Sequence, residues 1–398
     1  MDLIISYVAQ FSVYEWYMGA ALLFFFLILL YYNLSVYRKP HIYEKKRKDI
    51  SVDDSCLPSI SVIITSKNDS EQLKKNLPFV MEQDYPNFEV IVVNCGSSDE
   101  TDTVLKAAAH KYPKLYHTFI PAEADEINEK KLAITVGIKA AKNDILLFTE
   151  SYCKPCSTEW IKEFGKQFTT GEDILLGFNN VKVPNKVPLR KFIRYDNLIH
   201  HLKFLSRAIS RKPFMGTGRN MAYKKELFFN NKGFSSILGI DGGEDDLFIN
   251  RISNKQNTGV VISDKSITET DSVENFSTWR SLKSKHLYTK QIYKGYSSFF
   301  FGFENFSKYS FTILLITSVV TSIMSSNYIL LGFVLLLFMI KLLVRLSVIN
   351  KNSKHFGSGK FNLQLLFFDL IQPINNQRFT GYANKRNRAI LSVRRWYK

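Results

Sequence analysis

The chain has 398 residues, too many for one small core and enough for a large domain with attachments. A formal net charge of +17 calls for a polyanionic neighbour, either nucleic acid or the anionic face of a membrane. The placing of the apolar residues decides for membrane lipids, and no nucleic acid is needed to explain the charge.

Residues 17–37 form an uncharged run with Leu22-Leu23-Phe24-Phe25-Phe26-Leu27-Ile28-Leu29-Leu30 at its centre, long enough for a membrane-spanning helix. Asp2 and Glu15 precede it, and Arg38, Lys39, Lys45, Lys46, Arg47 and Lys48 follow. The positive-inside rule then puts residues 1–16 outside an inner or plasma membrane and the rest in the cytoplasm. A cleaved signal peptide would need the opposite flanks. The four cysteines, at 56, 95, 153 and 156, fall in that cytoplasmic part, which argues against a disulfide framework. Cys153-Lys154-Pro155-Cys156 lacks the second pair that a zinc site needs.

After a basic linker at 38–57, three short runs, Ile60–Ile64, Phe88–Val93 and Asp144–Thr149, are apolar on both faces. Helix-like stretches, Glu71–Met81, Asp99–Lys111 and Lys130–Lys142, lie between or beside them. Doubly buried strands alternating with helices predict a parallel α/β sheet. Ligands bind beyond the carboxyl ends of such strands, so Thr65–Asp69, Asn94–Asp99 and Glu150–Tyr152 should converge on one crevice. No glycine-rich phosphate loop or dinucleotide fingerprint follows the first strand. Further on, Gly242-Gly243-Glu244-Asp245-Asp246 opens an apolar, helix-like run. Acids suit a helix start, yet three adjacent carboxylates raise one another's pKa, which suits a general base.

Taken in order, these segments resemble the membrane-associated family 2 glycosyltransferases of GT-A fold. Pro58-Ser-Ile-Ser-Val-Ile-Ile-Thr-Ser-Lys-Asn-Asp69 is similar to their first strand and donor loop. Gln83 to Thr101 resembles their second strand with its base-facing turn, and Lys130-Lys131 their following helix start. Gly216-Thr-Gly-Arg-Asn-Met-Ala-Tyr223 looks like the acceptor loop, and Gly243-Glu-Asp-Asp-Leu247 like the catalytic acidic motif. The resemblance implies a Rossmann-like mixed sheet over 58–293, a UDP- or GDP-sugar donor and inverting transfer. It makes Asp245 the base, with Asp246 as the alternative and Glu244 beside them. Donor contacts fall to Thr65, Ser66, Asn68, Asp69, Asn94, Ser97, Lys130, Lys131, Glu150, Tyr152 and Lys285, and acceptor contacts to Gly218, Arg219 and Asn220.

The chain departs from the family where Asp-x-Asp becomes Glu150-Ser151-Tyr152. A phenol near pKa 10 is a poor ligand at pH 7, so Glu150 is the single candidate ligand for Mg²⁺ or Mn²⁺. Asn94-Cys95 replaces two acids, and Leu282-Lys-Ser-Lys285-His286 stands in for the product-side motif. His200-His201 on a helix-like run from 189 to 208 points two ways and makes no joint metal site. Trp160 and Trp279 read as core.

Residues 294–308 carry the aromatic density of a membrane interface. Spans at 309–324 and 328–349 form a hairpin with its tip outside, and Lys341 and Arg345 snorkel at its inner end. The tail, 350–398, is basic and cytoplasmic, with an interfacial helix over Phe361–Ile371 ahead of Pro373. The expected protein is a membrane-anchored inverting glycosyltransferase acting on a lipid-linked or glycan acceptor at the cytoplasmic leaflet. The alternative is a catalytically degenerate nucleotide-sugar-binding scaffold or regulator of a partner transferase. A membrane nucleotidyltransferase would need a firm two-carboxylate metal site, and Tyr152 counts against it.

Overall fold

The computed structural model describes residues 12–47, 52–121, 129–271 and 273–396, with side chains to 387. The charges read at Asp2, Lys48, Arg388, Arg394, Arg395 and Lys398 lie outside the described residues or side chains. Helix α1 (Val13–Tyr31) starts at a reciprocal cap, in which the Ser12 hydroxyl accepts from the Glu15 N–H and the Glu15 carboxylate from the Ser12 N–H. It passes through a π-helical turn (Tyr32–Tyr37) into α2 (Lys39–Lys46), so the basic linker begins as helix.

The α/β part follows as β1 (Ile60–Ser66), α3 (Ser70–Met81), β2 (Phe88–Cys95), α4 (Thr101–Lys111), β3 (Leu115–Ile120), α5 (Glu129–Ala140) and β4 (Ile145–Glu150). Next come β5 (Cys153–Pro155), α6 (Trp160–Phe168), β6 (Ile174–Gly177), β7 (Asn179–Val181), α7 (Arg190–Ile209), β8 (Met221–Lys224) and α8 (Lys225–Asn230). It closes with α9 (Asp246–Ile252), β9 (Thr258–Val261), β10 (Thr268–Thr270) and α10 (Phe276–Thr289).

The main sheet runs β3-β2-β1-β4-β8-β6-β9. Its first four strands are parallel as expected, and β8 is antiparallel to both β4 and β6, which makes the sheet mixed. All seven residues of β1 are buried because both faces are covered. Ile63, Ile91 and Val93 face the core under α5 and α7, while Val62, Val90 and Val92 face the one under α3 and α6. A second sheet, β5-β10-β7, flanks the carboxyl end of β4.

Register positions the site. Ser66 pairs with Asn94 and Thr65 with Glu150, so the carboxyl ends of β2, β1 and β4 lie side by side. Helix α5 approaches them closely at Gly137, where an added Cβ would sit 2.9 Å from Ile63 Cγ2. That approach sets Lys130, at the amino end of α5, over the tip of β4.

Among the described residues, three helical stretches are long and apolar enough to cross a membrane: Val13–Lys46, α11 (Ser297–Met324) and α12 (Tyr328–His355). The aromatic segment 294–308 and the span 309–324 are thus largely one continuous helix, with Phe299 and Phe306 outward and Phe301 buried. Helix α13 (Leu365–Trp396) passes through Pro373 instead of ending before it. The Tyr309 hydroxyl donates to the Leu370 carbonyl, which holds α11 against this part of α13.

Leu22, Phe26 and Leu29 pack with Phe311, Leu330 and Val334. At one end of the bundle, Ser325 Oγ donates to Glu15 at 2.9 Å, bringing the start of α1 beside the tip of the hairpin. At the other, Arg345 does not snorkel. It is buried, bonds Asp369 at 2.6 and 2.9 Å, and donates to the Tyr195 hydroxyl on α7 at 3.1 Å. This network ties the spans to the α/β part. Arg345→Met is expected to lower stability by about 2–3 kcal/mol, because the half-buried Asp369 keeps only the Tyr195 hydroxyl and Lys308, 4.0 Å away, as partners. Denaturant unfolding of the full chain in detergent checks this, and Arg345→Met/Asp369→Leu should recover part of the loss.

Candidate active site

Beyond the tips of β1, β2 and β4 the loops form one hydrogen-bonded rim. The Asn68 N–H donates to Ser97 Oγ (2.9 Å), the Ser98 N–H to Asn68 Oδ1 (2.8 Å) and the Ser97 N–H to Asn94 Oδ1 (3.1 Å). Asp69 accepts from the Ser151 hydroxyl, which links this rim to β4. Burial pushes the Asp69 pKa up. Ser66 is buried behind the rim.

Next to the rim, a cleft of about 230 Å³ is lined by Lys130, Glu150, Tyr152, Arg219, Glu244, Asp245, Asp246 and Lys285, among others. Lys130 Nζ lies 2.5 Å from Glu150 Oε1 and 3.3 Å from Glu244 Oε1. Thr65 Oγ1 donates to the other Glu150 oxygen at 3.2 Å. Burial alone would lower the Lys130 pKa, but the two carboxylates outweigh it and hold the group well above its ordinary value. Burial likewise opposes the Glu244 charge, and Lys130 and Lys285 overcome it, bringing Glu244 down to about 2.

The acidic run turns at Gly242 and Gly243, whose φ of +82° and +89° suit glycine. Asp245 then caps α9, accepting from the Asp246 N–H at 2.7 Å, while its second oxygen accepts from the Gly218 N–H at 2.9 Å. Gly218 lies between Asp245 and Glu150: a Cβ there would meet Glu150 Oε1 at 3.4 Å and Asp245 Oδ2 at 3.7 Å. Asp246 is fully buried and accepts from the Leu247 N–H (2.8 Å), the Tyr293 hydroxyl (2.6 Å) and Thr289 Oγ1. His286 presents Nε2 to Asp245 at 3.8 Å and Nδ1 to Asp246 at 3.4 Å. Burial and the neighbouring charges of Asp246 and Glu244 raise the Asp245 pKa despite His286, and the two aspartates raise that of His286 despite its own burial.

Two of the expected site residues turn away from the cleft. Lys131 is buried and donates to the Ile240 carbonyl at 2.6 Å, supporting the loop that carries the acids. Asn220 is fully buried, donating to the Phe178 and Ser266 carbonyls and accepting from Trp160 Nε1. Trp279 is also buried, with Nε1 on Asp196.

Four residues near the acids were not among the expected ones: His286, Thr289, Tyr293 and Arg386, the last 2.5 Å from Asp241. His286, Thr289 and Tyr293 stand three and then four residues apart, the spacing of one helix face, a signal that could have found them. Arg386 arrives from the distant α13, and no local pattern announces it.

The end of β4 does not fit a two-carboxylate metal site. Its one carboxylate faces the Lys130 ammonium, and burial pushes the Tyr152 phenol pKa further up, so the phenol keeps its proton. Asp245, Asp246 and His286 hold three donor atoms within 4.8 Å of one another. The carboxylate oxygens of that group already accept protein N–H and O–H groups.

A mixed sheet with a hydrogen-bonded rim beside an acidic cleft defines the class as a GT-A-like fold. Residues 61–229 match the family model "Glycosyl transferase family 2". The acidic run at 242–251 lies beyond the matched residues.

Glycosyltransferase AglE of Haloferax volcanii is 32% identical over 134 residues, 33% of this chain and 42% of that protein. Poly-beta-1,6-N-acetyl-D-glucosamine synthase of Staphylococcus aureus is 31% identical over 102 residues, 26% of this chain and 23% of that one. The chain therefore matches less than half the length of either relative. Among solved structures, the mannosyltransferase PcManGT from Pyrobaculum calidifontis, in complex with GDP-Man and Mn²⁺, superposes with a TM-score of 0.52. The match is at 14% identity and covers 85% of this chain and 98% of that one, a likeness of fold.

Proposed function

We propose that the protein is a membrane-anchored inverting glycosyltransferase that moves a sugar from a UDP- or GDP-sugar to a lipid-linked or glycan acceptor at the cytoplasmic leaflet. The observation that carries this reading is the meeting of Glu150 and Asp245 across Gly218, with Lys130 joining Glu150 to Glu244. Donor-side and acceptor-side groups thereby share one cleft. The basic flank Arg38, Lys39, Lys45, Lys46 and Arg47 supports the cytoplasmic placing, and residues 58–293 form the catalytic domain.

The acceptor hydroxyl oxygen attacks the anomeric carbon on the face opposite the nucleotide. The new C–O bond forms as the bond from that carbon to the diphosphate oxygen breaks, and the electron pair leaves with the nucleoside diphosphate. The acceptor proton passes to Asp245. The Gly218 and Asp246 N–H groups orient that carboxylate. Asp246 already accepts from three donors, so it is a positioning residue, with His286 balancing the charge of both acids. Lys130 and Lys285 supply positive charge toward the diphosphate.

The pH dependence follows from the two acids. Asp245 must be ionised to accept a proton, and its pKa is raised by burial and by the charges of Asp246 and Glu244. The acid limb of kcat/KM should therefore lie above about pH 4, the ordinary carboxylate value. A limb at or below that value contradicts the assignment. For stability the two acids act in opposite directions. Glu244, held at about 2 against an ordinary 4.5, stabilises above pH 4.5, and its contribution is lost as pH falls toward 2. The Asp245 contribution is present at low pH and is lost as pH rises through its elevated folded value.

The test of the function is a panel of nucleotide sugars offered to the purified full-length protein, with and without a chelator, following nucleoside diphosphate release. Release that survives the chelator is expected. Absence of release with every donor supports the scaffold alternative, which the replacement of an acid by Tyr152 favours.

A further inference from the structure

A second cleft leaves the active site between α7 and α10 and runs to the foot of α11. It shares Arg219 and His286 with the catalytic cleft and reaches Ser297 and Ser298 at the start of a candidate membrane span. Apolar side chains, Trp279 and Phe301 among them, form much of its wall. The charged groups facing it are cations: Lys203, Arg219, Lys283 and Lys290.

Only two carboxylates answer them among the described residues. Asp196 holds Lys283. Glu304 lies 3.7 Å from Lys203 and is shared with Lys308 at 2.6 Å. Lys290 and Arg219 have no carboxylate within salt-bridge range among the described residues. Burial pulls Lys203 down to about 7 in spite of Glu304, so another anion beside it would restore its proton. The Nε2 of His200 is buried in the same wall without a hydrogen-bond partner. Helix α11 also starts with no side-chain cap, which leaves its first N–H groups available to an anion.

We infer that this cleft seats the phosphate of a lipid phosphate ester, with the hydrocarbon chain along α11 and the head directed toward Asp245. On the glycosyltransferase reading above, this is the acceptor's lipid-phosphate anchor. Surplus positive charge in an apolar cleft at the foot of a membrane span selects for an anionic head on a greasy chain. A neutral lipid would bring no anion to the buried Arg219 and Lys283. A free phosphate would leave the apolar wall uncovered.

The test is calorimetric binding to the full-length protein in detergent, with no sugar donor present, using farnesyl phosphate, farnesol and inorganic phosphate. Farnesyl phosphate should bind, with farnesol and inorganic phosphate each at least about tenfold weaker. Lys290 is exposed, so Lys290→Ala should keep the fold. It should weaken farnesyl phosphate about tenfold and leave nucleoside diphosphate binding unchanged. Farnesol binding as tightly as its phosphate, or no effect of Lys290→Ala, overturns the inference. Inorganic phosphate matching farnesyl phosphate overturns the lipid assignment. Failure of nucleoside diphosphate to bind would overturn the glycosyltransferase reading and leave the lipid result standing.

Discussion

Asp245→Asn is expected to lower turnover about 10³-fold while nucleoside diphosphate binding changes less than about twofold. The amide keeps the size of the side chain, and its oxygen can still accept from one of the Gly218 and Asp246 N–H groups, so a single hydrogen bond is lost, a smaller change than at Asp246. What it loses is the lone-pair basicity that takes the acceptor proton. Asp246→Asn should behave differently. Its carboxylate accepts from Thr289, Tyr293 and the Leu247 N–H, and the amide can satisfy only part of that set. Stability and turnover should therefore fall together. Steady-state transfer assays paired with calorimetric binding separate the cases, and a loss below about tenfold for Asp245→Asn would remove it as the base.

Lys130→Met should have the second large effect. The substitution keeps much of the side-chain volume and strips the cation from two buried carboxylates. A fully buried pair broken this way costs about 3–5 kcal/mol. The Lys130 side chain is 34% exposed, so water screens part of the contact, and a loss of about 2–3 kcal/mol is expected. Lys130→Met/Glu150→Gln should regain part of the stability. It should not regain turnover, which we expect to fall at least about 100-fold because the departing diphosphate loses its positive partner. Thermal unfolding and transfer assays on both variants check the two halves of the expectation. Turnover recovering along with stability would make Lys130 a structural ion-pair partner and nothing more.

Much of the sheet was legible in the sequence because its first strands are buried on both faces and therefore read as unbroken apolar runs. Ile60–Ile64 and Phe88–Val93 announce their strands, and the polar residues after them announce the rim. The three-residue strands Cys153–Pro155, Asn179–Val181 and Thr268–Thr270 carry no such pattern, since their pairing is set by tertiary contacts. Lys130 and Lys131 could not be separated by residue type. Adjacent positions on a helix point about 100° apart, and only the first reaches the cleft.

The ends of the spans were misread for a related reason. Arg345 looked like a snorkelling side chain because its partner, Asp369, lies on another helix and no periodicity links them. Pro373 looked like a terminator because helix breaking is a local rule, whereas α13 carries the proline within it. His286 stood in plain view beside Lys285, but its significance depends on the distance to Asp245, which only the fold provides.

The most direct measurement of the central claim is a structure of the full-length protein with a bound nucleoside diphosphate sugar. The account predicts the diphosphate against Lys130 or Lys285, with the anomeric carbon between it and Asp245 and about 3–4 Å left for an acceptor oxygen. A donor bound away from the tips of β1, β2 and β4, or one whose sugar turns its back on Asp245, would contradict it.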